Sequence, residues 1–345
     1  MVSAYDPTFG YDGAPEVETR TIDEIYQAAL AEGGVVTVWH GGDEKTQQNR
    51  LKQAFEARFP KMTLNVTVDV SKYHDGNIDR QLATGGVYVD SVILQTLHDY
   101  PRWDNEGALL HYVPLNFYNV HPSFRDLRGA WHGVEVLAWS FLWNTNKISE
   151  GPREFDDFLK PEYKGKLVLT YPNDDDAVLY AFDLIMQQYG YGWFEKLLAQ
   201  NPRWVRGTAT PVTLIGRNGS EALTFTSSAG LAPSAPLGIA LPTKGLFVSW
   251  AQRAGILKDA PHPEGAKLLH NYMLSEEFQA TNSSWSVRMD IPAPAGYAKV
   301  MDVPSTNPTA FGEFMGDRAR VERLKLFFED KIGTPQGLSP LNDDL

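Results

Sequence analysis

Val35, Val36, Thr37, Val38 and Trp39 form a short β-branched run that breaks at His40-Gly41-Gly42-Asp43, two permissive glycines followed by a residue suited to capping a helix. Leu51, Ala54, Phe55 and Phe59 then recur at helical spacing, and Pro60 ends that helix. A second strand over residues 62–70 leads into Ser71-Lys72-Tyr73-His74-Asp75-Gly76-Asn77, read as a polar loop in which Gly76 serves the backbone of a turn. A third, over 89–94, delivers Gln95 and Thr96. Three strands therefore end in polar, ligand-competent segments. In an open α/β sheet that edge gathers ligands, because helix N-termini and loop amides converge there.

The same reading extends along the chain. The first twenty residues, rich in Gly, Pro and Asp, predict an extended arm. Thr21 then caps a helix whose apolar stripe is Ile22, Ile25, Tyr26, Ala29 and Leu30, stopped by Gly33-Gly34. Residues 131–143 predict a strand, 155–159 a short helix, and 167–169 a buried strand that enters Thr170-Tyr171-Pro172-Asn173-Asp174-Asp175-Asp176. A helix runs on to Tyr189, with another over 193–198, and strands follow at 204–210, 223–226 and 247–250. The last helix, 263–274, turns Ala266, Leu269, His270 and Met273 inward. Strands alternating with helices make the fold α/β.

Composition narrows the function. The chain has 345 residues, of which 43% are hydrophobic and 12% aromatic, enough for two sizeable cores. Its net charge of -12 argues against nucleic acid as a partner and mildly favours cationic or metal-assisted ligands. With no cysteine, disulfides, thiolate metal sites and Cys nucleophiles are excluded. No apolar run is long enough to insert in a membrane, and the opening Met1-Val2-Ser3-Ala4-Tyr5-Asp6 carries no secretory signal. Either a signal has been removed or the protein is intracellular.

Several motifs in order carry a resemblance. Strand-Gly41-Gly42-Asp43-helix is followed by Phe55-Glu56-Ala57-Arg58-Phe59-Pro60, Tyr73-His74-Asp75-Gly76-Asn77-Ile78-Asp79-Arg80-Gln81 and Val89-Asp90-Ser91-Val92-Ile93-Leu94-Gln95. Later come Trp143-Asn144-Thr145-Asn146-Lys147-Ile148, Tyr163-Lys164-Gly165-Lys166-Leu167, Ser275-Glu276-Glu277-Phe278-Gln279 and Val287-Arg288-Met289-Asp290-Ile291-Pro292. Together they resemble the extracellular solute-binding proteins of ABC importers, in the ferric-iron and small-organic-ligand branch of the type 2 periplasmic-binding fold. The resemblance implies two discontinuous lobes, 1–142 with 248–300 and 143–247 with 301–345, joined by crossings near Leu142 and Val248 that act as a hinge around a central ligand cleft. It further implies a monomer in the periplasm or outside the cell, its signal peptide absent from this chain, with an ABC permease as partner.

The resemblance also bears on the ligand. The ferric branch uses adjacent tyrosines in the second lobe and a His in the first. Those positions fall near Ser227-Ser228 and Asp43, and neutral serines are no substitute for phenolates on ferric iron. What remains is a pocket for a small polar organic molecule. Trp39, Tyr73, Tyr171 and Trp250, with Trp285 as a further candidate, are its apolar walls. Gln95, Thr96, Thr208, Ser227 and Ser228 are its hydrogen-bonding groups, and Arg206 is a candidate carboxylate clamp. Tryptophan is more often plain core, however, and strand-end arginines are mostly paired within the protein. Asp174, Asp175 and Asp176 have two readings. They cap a helix, or they face the cleft opposite Asp43 and bind an ammonium, a thiazolium-like cation or a hard metal.

His40 and His74 sit near Asp43 and Asp75, but their spacing matches no compact metal motif, so no metal and no cofactor is assigned. Asp69, Asp79 and Asp90 read as structural. No Gly-x-Ser-x-Gly elbow, phosphate loop or dinucleotide fingerprint is present, and no catalytic residue is assigned. The fungal thiamine-pyrimidine synthases resemble this fold but depend on a cysteine-rich motif that the chain lacks. The alternatives to import are a hydrolase or transferase built on carboxylates such as Asp43 and Asp175, and a stand-alone ligand sensor.

Overall fold

The computed structural model describes residues 14–342 and the short strands Tyr5–Asp6 and Tyr11–Asp12. The chain divides into two compact units. The first comprises Met1–Glu135, Ala251–Asn282 and Ser286–Pro292; the second comprises Val136–Trp250, Ser283–Trp285 and Ala293–Leu345. The chain therefore changes unit inside the strands His132–Ala138 and Ser249–Ile256. These changes fall at Glu135 and Trp250 rather than Leu142 and Val248, and residues 293–300 lie in the second unit.

The first unit is built on a five-stranded sheet in the order Thr63–Asp69, Val35–Gly41, Ser91–Leu94, Ser249–Ile256, His132–Ala138. The first three strands run parallel, with Val38 beside Val66 and Ser91, while Ser249–Ile256 runs antiparallel to Ser91–Leu94. Alternation along the strands fills both faces. Val36, Val38 and Ile93 join one core with Ile25, Phe55 and Leu269, and Trp39, Val92 and Leu94 join another with Ile78, Tyr100 and Trp103.

Local signals fix the first helix, Ile22–Glu32. Thr21 and Glu24 make a reciprocal capping box, and Gly33 ends it at φ 130°, a backbone angle open to glycine. The expected arm is tied down where it is described: Glu16–Val17 pairs with Tyr112–Val113, and Glu18 accepts from Tyr112 Oη at 2.6 Å. Residues 1–13 of that expectation lie largely outside the described residues.

Ser71–Thr84 is a helix, which corrects the loop expected over 71–77. Its sequence is rich in weak helix formers, but Ser71, His74, Ile78 and Gln81 form a buried stripe at helical spacing. Packing of that stripe overrides propensity. Gly76 is an ordinary helical residue with no atom within 4 Å of where its Cβ would lie, so no turn requires it.

The second unit joins an antiparallel trio, Leu223–Ser227, Ser140–Asn144 and Leu237–Ala240, to a parallel pair, Val168–Thr170 with Arg203–Val205. Phe141, Phe158, Phe182, Phe194 and Phe225 meet edge-on or tilted in its core. The strand expected over 204–210 stops at Val205, because Pro211 opens a new helix, Thr210–Gly216. The strand expected over 131–143 is two strands, parted at Trp139, whose N–H bonds Val248 O at 3.0 Å. Among the described residues no helix is long and apolar enough to cross a membrane.

Candidate functional site

Because Val35–Gly41, Thr63–Asp69 and Ser91–Leu94 are parallel, their carboxyl ends share one edge of the first unit. The glycines there serve space, not left-handed backbone. A Cβ on Gly41 would collide with Ser71 Oγ, and one on Gly42 would lie 2.6 Å from Gln47 Oε1 and 2.8 Å from Val68 Cγ1. With that space open, Ser71 Oγ accepts the Gln95 N–H at 3.1 Å and ties the second strand exit to the third.

Asp43 is not the cap expected of it. The next helix, Asn49–Arg58, begins six residues later, and the Asp43 N–H donates to Gln47 Oε1 at 2.9 Å. Trp39 is buried, stacked 4.8 Å from the His74 ring and edge-on to Tyr88 at 5.6 Å. Trp39 is therefore packed as core, whereas Tyr73 is 38% exposed, with Lys72 Nζ 5.7 Å from its ring centre, and Tyr88 is 54% exposed. Burial holds His74 below the usual imidazole range and lowers His40 to about 4, with His40 Nδ1 on Gly41 O at 2.7 Å. Among the described residues no group of three His, Asp or Glu is arranged to hold a metal ion.

The loop after Leu94 carries some of the chain's buried, unbonded side-chain atoms. Thr96 is buried and its Oγ1 has no hydrogen-bond partner. Three residues on, Asp99 is buried too, with Oδ1 held by Arg102 at 2.8 Å and Oδ2 unbonded. Burial, and after it the nearby Asp99 carboxylate, push Asp75 up to about 7. Sequence reasoning missed Asp99 and misplaced Asp75, since nothing local signals that they meet. Arg253 completes this edge, its guanidinium 2.5 Å from Leu97 O and 3.7 Å from the centre of the Trp131 ring.

Asp69, Asp79 and Asp90 are taken up structurally. Asp69 accepts from Val70 N, Asp79 from Arg102 and Trp103, and Asp90 from Thr37 N and His262 N.

In the second unit the acidic run is consumed internally. Asp174 receives Nε and Nη2 of Arg206 at 2.8 and 3.1 Å, so the expected clamp closes on the chain's own carboxylate. Asp175 caps Asp176–Tyr189, accepting from Ala177 N and Val178 N at 2.9 Å. Asp176 pairs with Lys325 at 2.9 Å.

Tyr171 is buried and stacked 5.9 Å from Trp204. Ser227 is fully buried and donates to Thr208 O, while Thr208 and Ser228 are half-buried. Two expected walls are core: Trp250 has no accessible surface and packs between Trp139 and Phe311, and Trp285 is buried with its Nε1 on Ala298 O at 2.8 Å. A residue that sequence reasoning did not single out is Glu135, the last of the first unit. It is partly exposed on its strand, and burial raises it to about 7.

Residues 101–314 match the family model of the bacterial extracellular solute-binding proteins. The chain belongs to that family. It is also 26% identical over 145 residues to a Fe(3+)-binding periplasmic protein of Serratia marcescens, a match covering 41% of this chain and 40% of that relative.

Among solved structures, a substrate-binding protein of an ABC transporter from Agrobacterium tumefaciens aligns with TM-score 0.72 at 14% identity, covering 86% of this chain and 94% of that one. The periplasmic binding protein AfuA from Actinobacillus pleuropneumoniae, solved with fructose-6-phosphate, aligns with TM-score 0.68 at 17% identity, over 86% and 98%. Iron-bound HitA from Pseudomonas aeruginosa aligns with TM-score 0.64 at 15% identity, over 85% and 99%. At these identities the likeness is one of fold, the two-lobed periplasmic-binding architecture that this family shares.

Proposed function

We propose that this chain is an extracytoplasmic solute-binding protein that captures a small polar organic ligand and delivers it to an ABC permease. Family membership supports the binding role. The observation that carries the choice of site is the buried, unbonded Thr96 Oγ1, three residues before the buried Asp99 carboxylate, on the edge where three parallel strands end. Buried polar atoms are costly to leave unbonded, and a ligand that donates to them recovers that cost. Tyr73 supplies a partly exposed aromatic ring and Gln95 a directional amide at the same edge. Glu135 is a further candidate to receive a donor from the ligand.

The ligand of this reading is organic and carries hydrogen-bond donors. Ferric iron through a tyrosine pair is disfavoured, since Ser227 and Ser228 stand in the segment concerned and Ser227 is buried on Thr208 O. In this reading the protein works as a monomer in the periplasm or outside the cell, and the lobes close about the strands that pass through Glu135 and Trp250. Binding is favoured over carboxylate catalysis because Asp175, one of the two carboxylates that a hydrolase would need, is engaged as a helix cap.

Native mass spectrometry of protein purified without denaturation tests the proposal. The expected result is a small-molecule adduct that is lost on unfolding and diminished in a Thr96→Val, Asp99→Asn variant. A spectrum without any adduct, joined to no thermal shift across a panel of polar organic solutes, would overturn it.

A further inference from the structure

A chain of four polar contacts lies buried in the first unit, away from the ligand edge. His132 Nδ1 is 3.0 Å from Gly133 O, and His132 Nε2 is 2.8 Å from His270 Nδ1. His270 Nε2 is 2.8 Å from Ser91 Oγ, which is in turn 3.0 Å from Gly255 O. Ser91, His132 and His270 are each at most 2% exposed. They come from three separate elements, Ser91–Leu94, His132–Ala138 and Pro263–Met273.

The chain begins and ends on carbonyl oxygens, which only accept. Each of its four contacts needs one proton to be a hydrogen bond, but two neutral imidazoles and one hydroxyl supply only three. In the neutral state one contact is therefore left without a proton. Adding a single proton satisfies all four at once, with the charge shared by the two rings.

Opposing this is burial. The rings are packed close to Leu110, Tyr112, Ala254 and Ile256, with Phe117 edge-on to His132 at 6.3 Å. Burial lowers His132 to about 4 and His270 well below the usual imidazole value, each ring further disfavouring charge on the other.

The charged groups on the surrounding elements are engaged elsewhere. Asp90 accepts from Thr37 N and His262 N, Lys267 pairs with Glu16 and Glu264, and Glu18 binds Tyr112 and Arg20. Arg125 covers Phe117 and Tyr118, Asp126 accepts from Arg128 N and Ala130 N, and Arg253 lies on Trp131. None of these groups is a hydrogen-bond partner of the two rings.

We infer that the Ser91–His270–His132 chain is a buried acid-sensing element, neutral and one proton short in the native protein, which makes the first unit labile to acid. The sign follows from linkage. A base whose native pKa is depressed contributes stability that is complete above the unfolded value near 6.5 and is lost as pH falls towards the native value. These two rings contribute up to about a hundredfold per pH unit to the unfolding equilibrium constant between about pH 6 and 5, one factor of ten for each proton taken up, beside the contributions of His40 and His74 in the same sense and of Asp75 and Glu135 in the opposite one.

Long-range nitrogen–proton correlation spectra of histidine-labelled protein, recorded from pH 8 to 4.5, test the assignment directly. The expected result is two neutral rings that do not titrate near pH 6.5. Titration of either ring near 6.5 would overturn it. Independently, His270→Gln should make the pH dependence of unfolding shallower by about tenfold per pH unit, and a dependence equal to the parent's would contradict the inference. The spectra decide the matter if that variant does not fold.

Discussion

Arg206 and Asp174 form a two-point ion pair in the second unit, with guanidinium nitrogens 2.8 and 3.1 Å from the carboxylate oxygens and both side chains at most 15% exposed. The pair changes the meaning of an acidic run that otherwise invites a cation-binding reading. One aspartate holds an arginine, the next caps a helix, and the third meets Lys325.

Stability is therefore where these residues should be felt. Asp174→Ala strands a largely buried guanidinium and is expected to cost about 3 kcal/mol. Asp175→Ala removes the cap of Asp176–Tyr189 and is expected to cost about 1 kcal/mol. Denaturant unfolding of the free protein measures both. Unchanged stability together with weakened ligand binding would return the aspartates to the site.

How far the sequence reached depended on whether the deciding signal was local. Thr21 and Glu24 announced their helix because a capping box is written within four residues. The alternating strands from Val35 to Leu94 were readable for the same reason, and the family motifs lay in order along the chain.

Residues 71–77 were misread because their composition suits a loop, whereas the helix there depends on a buried stripe that only the folded sheet supplies. Trp250 looked like a cleft wall from its strand-end position, but Trp139 and Phe311 enclose it. The proximity of Asp75 to Asp99, and the meeting of His132 with His270, are tertiary facts with no local trace.

The carboxyl pair has a pH signature opposite to that of the buried histidines. Burial and Asp99 raise Asp75 to about 7, so the folded chain binds a proton that the unfolded chain releases near its ordinary lower value. Stability from this source is present at acid pH and falls as pH rises towards 7. Asp75→Asn should abolish that component and raise the melting temperature above pH 7 relative to the parent. A variant whose melting profile parallels the parent's across pH 4 to 8 would show that Asp75 is not raised in the folded protein.

Thr96→Val separates folding from binding. Its hydroxyl makes no hydrogen bond in the protein, so the variant should be as stable as the parent or slightly more so. Ligand affinity should fall by about 1 kcal/mol, the worth of one hydrogen bond, as read by calorimetry with the ligand recovered from the native protein. Equal affinity would move the site away from this loop.

Ferric citrate titration followed in the visible spectrum should give no phenolate charge-transfer band, because the segment at Ser227 and Ser228 offers no tyrosine pair. A strong band would contradict both the placement of those serines and the organic-ligand reading.

The central claim is that one chain binds one small solute and becomes more compact on binding, and small-angle scattering tests it most directly. The radius of gyration is measured for the ligand-free protein and again at saturation with the ligand recovered by native mass spectrometry. The account predicts a smaller radius with ligand bound and an unchanged molecular mass, as one chain closes on one solute. An unchanged radius at confirmed saturation would contradict it.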